Sequence, residues 1–262
     1  MKNVAANAFP ISFVFVKVKY AEPPIAVKGT SRMIFDFKFW RYFANQGELI
    51  HNLHNSEMRN FNRRLVWILV LGLLVFALRE IWGMNTASLT PYLSSGMTDV
   101  YTLARWTSLA GTLLWAGVYL AFHSYAVAFL FHKIAKMPWR AALVMQTYVL
   151  SLLVIEKALI FLLFAVPGVT LSVSIFSFGP LAATFLDMPF LTYFFNQLTI
   201  FTALIIAIQY RYVRSFTKIS PKVILFVLIL LHIAAALLVA SLDFVPLDDM
   251  LNDFTRGGAG VE

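Results

Sequence analysis

The sequence predicts an all-α integral membrane protein: a bundle of five transmembrane helices, amino terminus inside and carboxyl terminus outside, preceded by an interfacial helix. Three observations predict it. The chain is 60% hydrophobic and only 13% charged over 262 residues, whereas soluble domains run nearer half apolar and a quarter charged. Apolar runs of ~20 residues recur along it, the length that crosses a ~30 Å hydrocarbon core at ~1.5 Å per residue. The basic residues fall in clusters beside those runs, which reads as membrane topology, so the net charge of +8 is not taken as a nucleic-acid footprint.

Residues 1–64 form the expected cytoplasmic segment. Its first apolar stretch is interrupted by Asn7 and Pro10 and followed by Lys17 and Lys19, without a small-residue cleavage pattern, so it is not read as a signal peptide. Residues 1–32 differ in character from the rest of the chain, and a start at Met33 is an alternative to Met1. The run MIFDFKFWRYF (33–43) gathers six aromatics around Asp36, Lys38 and Arg41, a composition suited to a helix in the inner interface or to a soluble helix on the cytoplasmic loops. Residues 48–64 are polar and end in NFNRR, ahead of the first span.

The expected spans are 65–82, 106–131, 141–166, 190–210 and 223–242. The third is the difficult one, because Glu156 and Lys157 lie inside it and Pro167-Gly168 ends it. Two crossings would need those two residues as their whole connection, too short to reverse a helix. A single crossing also keeps the later basic loop on the inner side. The inner side then receives the ten basic residues from Lys2 to Arg64, the three Lys133, Lys136 and Arg140, and the four Arg211, Arg214, Lys218 and Lys222. Arg79, Arg105 and Arg256 fall outside, with an acidic tail over 243–262, as short-loop charge rules require. Trp67, Trp139, Tyr210 and Tyr212 at inner ends, and Trp82 and Trp106 at outer ends, are the expected interfacial anchors. The loop 167–189 is nearly uncharged, and its apolar middle is expected to dip into the outer leaflet or cover the bundle.

Polar groups within a span are costly, so each needs a partner. Counting along the helices puts Glu156 and Lys157 of span three level with Asn196 and Gln197 of span four. Adjacent residues point ~100° apart on a helix, so Glu156 and Lys157 are expected to find partners on neighbouring helices. Two readings stand: helix-packing glue or a substrate or proton pathway, with snorkelling of Lys157 to the headgroups a third. His123 and His232 share a second level, nearer the inner face, where two imidazoles would suit haem or a metal; hydrogen bonding within the bundle is the plainer expectation. His51 and His54, with Glu57, make an incomplete site, and no metal and no cofactor is predicted. With no cysteine, thiolate chemistry and disulfides are excluded. The sequence has no GxSxG elbow, no HExxH pair and no phosphate-cradling glycine loop, and Glu156 is expected to be the lone carboxylate inside the membrane, so no catalytic residue is expected.

The stretch LAGTLLWAGVYLAFHSYAVAFLF and the later FFNQLTIFTALIIAIQYRYV, each followed by a basic turn, carry a broad resemblance over residues 65–242. In size, span number and small extramembrane content the chain resembles the Yip family, five-span membrane proteins named for interacting with Rab-type GTPases and also present in bacteria. The acidic, proline-bearing tripeptide of eukaryotic members is not evident, which speaks against GTPase binding. The resemblance implies a non-catalytic membrane scaffold or accessory subunit, in a bacterial cytoplasmic membrane, whose partner is another membrane protein such as an export system, or a second copy of itself. The alternative is a small transporter or channel using Glu156, Lys157, Asn196 and Gln197.

Overall fold

The computed structural model describes residues 33–84, 86–168, 170 and 173–242. The expected amino-terminal stretch 1–32 and the acidic tail 243–262 lie outside the described residues.

The aromatic run at 33–43 is not one helix. Strand β1 (Met33–Asp36) pairs in parallel with β2 (Ser56–Arg59), and Phe37 N–H extends the ladder to Arg59 O at 3.0 Å. Between the strands run two short helices, α1 (Phe39–Ala44) and α2 (Gln46–Asn55). The reason is periodicity: Ile34 and Asp36 are exposed while Phe35 and Phe37 turn inward, the alternation of a half-buried strand. Only α1, with Trp40 exposed, keeps the expected interfacial character.

Asn60, in the left-handed region at φ 66° that asparagine tolerates, turns the chain into α3 (Phe61–Ile81), and its side-chain amide donates to Asp36 at 3.0 Å. A short helix α4 (Thr90–Ser94) leads to α5 (Thr98–Ala121), which continues through a π-helical turn (Phe122–Ala126) into α6 (Val127–Ile134). After the turn at Lys136, α7 (Trp139–Ala165) runs unbroken through Glu156 and Lys157. The region is therefore one helix and not two, since nothing interrupts its hydrogen-bond ladder until Pro167. The chain then forms α8 (Gly179–Phe185), α9 (Pro189–Gln197), α10 (Ile200–Phe216) and α11 (Pro221–Leu242), the last opening on a proline at the first helical position.

Among the described residues three helical stretches, Thr98–Ile134, Trp139–Ala165 and Pro221–Leu242, are long and apolar enough to cross a membrane. Their outer faces carry large apolar side chains: Leu114 and Trp115 on α5, Phe226 and Leu238 on α11 are all exposed by more than half. Such surfaces suit lipid rather than water. The stretch expected as span four is different. It breaks at Leu198, and Thr199 caps α10 reciprocally with Thr202: the Thr202 N–H donates to Thr199 Oγ1 at 3.2 Å and the Thr199 N–H to Thr202 Oγ1 at 3.3 Å. The freed backbone is satisfied by the preceding loop, with Phe178 N–H donating to Leu198 O at 3.2 Å and Ile200 N–H to Phe176 O at 3.0 Å. This places the loop as a cover on the bundle, one of the two expected roles.

Helix α7 is the centre of the packing, meeting α2, α3, α6 and α10. The largest core gathers the start of α3 (Phe61, Leu65), the end of α6 (Phe131), the start of α7 (Ala141 to Met145), the end of α10 (Tyr212, Val213) and the start of α11 (Ile224, Leu228). These are the helix ends flanked by the basic residues, so the basic clusters share one end of the bundle, closed by Phe37, Tyr42 and Leu49 of the strand and helix cap. Tyr212 is not the expected interfacial anchor: it is fully buried there, while Trp67, Trp82 and Trp106 are exposed.

Gly72 marks the closest approach of α3 to its neighbours. A Cβ there would lie 2.8 Å from Leu120 Cδ2 and 3.2 Å from Val154 Cγ2. Alanine gains ~1 kcal/mol of helix propensity over glycine, and the Leu120 methyls can move a few tenths of an ångström, so Gly72→Ala is expected to be near neutral. Gly72→Val has no such room and is expected to destabilise by about 1–3 kcal/mol, read as a lowered unfolding midpoint in detergent. Equal stability of the two variants would overturn the close-packing account.

Candidate functional site

The polar groups of the bundle collect where α3, α5 and α7 meet. Glu80, in the last turn of α3, is buried, and its carboxylate accepts hydrogen bonds from Ser108 and from Thr112 (3.3 Å), one turn apart on α5. Its neighbour Arg79 lies over the Phe76 ring at 5.7 Å. Phe76 in turn meets Tyr119 of α5 at 5.6 Å between ring centroids, and Tyr119 meets His123 at 4.4 Å. From α7, buried Glu156 lies within electrostatic reach of Tyr119. Lys157 is likewise within reach of Arg79 and His123. Two cations and two carboxylates are therefore held among three helices, with a phenol and an imidazole between them. The π turn that carries His123 widens the helix at this point, a feature that recurs at functional sites.

Glu156 is thus not the only carboxylate inside the bundle, contrary to the expectation from the sequence, and Arg79 is no loop residue. Asn196 and Gln197 are not its partners. Phe201 and Ile205 of α10 pack beside Val149 and Leu152 of α7, but that register does not continue into α9. The break at Leu198 turns α9 away, onto α8 and α11. Asn196 Oδ1 accepts instead from the Ser174 N–H at 2.7 Å and the Ser177 hydroxyl at 3.0 Å, pinning the covering loop. Gln197 offers its carbonyl to the Thr202 hydroxyl at 3.2 Å.

The two histidines expected at one level are engaged separately. His123 meets Tyr119 at a tilt of 58°, while His232 Nδ1–H donates to Leu228 O at 2.9 Å within α11, a helix packed on α9 and α10. On α2, His54 stacks flat on Phe216 at 4.1 Å and His51 contacts Asn55. Among the described residues no three histidine or carboxylate side chains converge as a metal-ligand set.

A second polar group was not anticipated from the sequence. Gln146 of α7 is fully buried with neither amide atom hydrogen-bonded, and on α10 the Gln209 oxygen and the Tyr212 hydroxyl are buried and unpaired as well. The register of α7 against α10 puts Gln146 and Gln209 at one level. An unpaired buried amide costs about 1–3 kcal/mol, so Gln146→Leu, close in volume, is expected to raise stability by about 1 kcal/mol. A loss of stability in thermal unfolding would show that Gln146 is satisfied in the membrane after all.

No family model matches this sequence, and no curated protein and no solved structure matches it either.

Proposed function

We propose that the chain is a five-crossing protein of a bacterial cytoplasmic membrane, amino terminus in and carboxyl terminus out, acting as a non-catalytic scaffold or accessory subunit. It works by packing against another membrane protein, such as an export or trafficking system, or against a second copy of itself. To the three apolar stretches this adds α3, 21 residues long, and the interrupted α9–α10. The observation that carries the reading is how the polar groups are used. Glu80 is committed to Ser108 and Thr112, and Asn196 to Ser174 and Ser177, all within the protein, while α5 and α11 turn apolar faces outward. Polar side chains spent on holding helices together, and apolar faces left for lipid or a partner helix, are the anatomy of a packing module. The resemblance to the Yip family leads to the same class of function.

Purification in mild detergent followed by mass spectrometry is expected to return one stoichiometric membrane partner or a defined homo-oligomer; a clean monomer counts against the proposal. Topology has its own test, since the chain lacks cysteine and any introduced thiol is unique. Lys218→Cys is expected to react with an impermeant reagent only after the membrane is opened, and Ser95→Cys in intact cells. Labelling of both from the same side would overturn the five-crossing arrangement.

A transporter is the second reading, favoured by the break at Leu198, because unwound backbone in a crossing is where many transporters hold their cargo. Its test is flux in proteoliposomes carrying Glu156→Gln together with Lys157→Met, which removes both titratable groups and keeps the charge balanced. Unchanged flux, or none in the parent protein, removes this reading.

A further inference from the structure

At the basic end of the bundle, α1 lies across the gap between α3 and α7 and encloses a groove of about 430 Å³, inside the ~300–1,000 Å³ typical of small-molecule sites. Its rim and its floor differ in chemistry. Lys38, Arg41 and Arg64 stand at the rim with the indoles of Trp40 and Trp67. Ile68 and Leu71 of α3 and Val154 and Ile155 of α7 form the floor. Leu71 and Ile155 are themselves exposed, so the floor opens sideways onto the faces these helices present to the hydrocarbon.

We propose that this groove binds one anionic phospholipid, its phosphate at Lys38 and Arg64 and an acyl chain along Leu71 and Ile155. The proposal depends on the bilayer reading but not on the scaffold function. The chemistry selects the occupant. A free phosphate has no use for an apolar floor, and a lipid whose headgroup carries its own balancing cation has less use for the rim; a phosphate ester of net negative charge with hydrocarbon tails matches both. Aromatic side chains at the rim sit where indoles favour the headgroup layer. Basic pockets between crossing helices on the cytoplasmic side suit anionic headgroups for the same reason. The charge that remains for the ligand comes chiefly from two residues, because Arg41 Nη2 already donates to Glu48 at 2.6 Å and Asn45 holds the other carboxylate oxygen at 3.0 Å. Arg41 thereby ties α1 to α2, while Lys38 and Arg64 are exposed.

Native mass spectrometry of the full chain from mild detergent, with added phosphatidylglycerol or phosphatidylcholine, tests the assignment. The parent protein is expected to retain a single phosphatidylglycerol in preference to phosphatidylcholine. Lys38→Gln and Arg64→Gln are each expected to weaken that retention about fivefold, and both residues are exposed, so the variants fold. Leu71→Trp, which fills the floor and leaves the charges, is expected to lose the lipid too. Arg211→Gln with Arg214→Gln, exposed at the same end of the bundle, is expected to retain it. Equal retention of the two lipids overturns the proposal, as does unchanged retention in the Lys38→Gln/Arg64→Gln variant. An equal loss in the Arg211/Arg214 control overturns it as well, since the attraction would then be diffuse.

Discussion

Tyr148→Ala is expected to cost about 3–5 kcal/mol of stability, the range for emptying a buried aromatic site. The ring is fully buried on α7 and serves as the post on which the strand-and-helix cap is mounted: Phe39 stacks on it at 4.9 Å and 16°, Phe43 lies at 6.0 Å, and Phe37 meets it edge-on at 6.1 Å. Its hydroxyl donates to Phe39 O at 3.3 Å. Removing the ring takes away a contact for three cap residues at once, so the cap is expected to come loose while the crossing helices persist. Tyr148→Phe keeps the ring and loses one hydrogen bond, with an expected cost of about 1 kcal/mol. Limited proteolysis reads the difference: the alanine variant is cut between residues 33 and 60 at protease levels that leave the phenylalanine variant whole. Similar cleavage of the two variants would mean that the hydroxyl, or neither group, holds the cap.

Which parts of this arrangement were legible in the sequence depended on whether a local signal or a tertiary contact decided them. The unbroken α7 was legible, because two charged residues cannot turn a helix and only Pro167 can end it. The strand at 33–36 was legible in principle: Phe35 and Phe37 alternate with Ile34 and Asp36, but composition drew attention away from the period. The break between α9 and α10 was faint, since its capping box closes with Thr202 in place of the glutamate or glutamine that usually marks one. The site divided in the same way. Glu156 and Lys157 stood out because each is charged in mid-span. Glu80 did not, lying at a span end where a charge passes for a boundary. The pairing of Glu80 with Ser108 and Thr112 does not follow from counting back from the helix ends: α5 starts ten residues before Ser108 and its first turns run past the end of α3, so tertiary packing sets the register. Gln146 and Gln209 had no signal either, because their burial comes from the packing of α7 on all sides.

The charge balance of that site carries the other large effect. Arg79 and Lys157 are offset by Glu80 and Glu156, and removal of one member leaves a charge without compensation in a region where each costs about 3 kcal/mol. Glu156→Gln and Lys157→Met are each expected to destabilise by about that amount. The double variant is expected to recover most of the loss, because it restores neutrality with groups of similar volume. Denaturant unfolding followed by circular dichroism supplies the double-mutant cycle. Additive losses would show that the two residues act separately, with Lys157 reaching the headgroups rather than its neighbours. Recovery has a further use, since Glu156 and Lys157 interact with one another and with the groups around them, Glu156 with Tyr119 and Lys157 with Arg79 and His123. A stable double variant would show that the two charges are coupled. It would also be a folded protein without the two charges that the sequence singled out, in which partner capture and flux can be compared without a difference in folding between them.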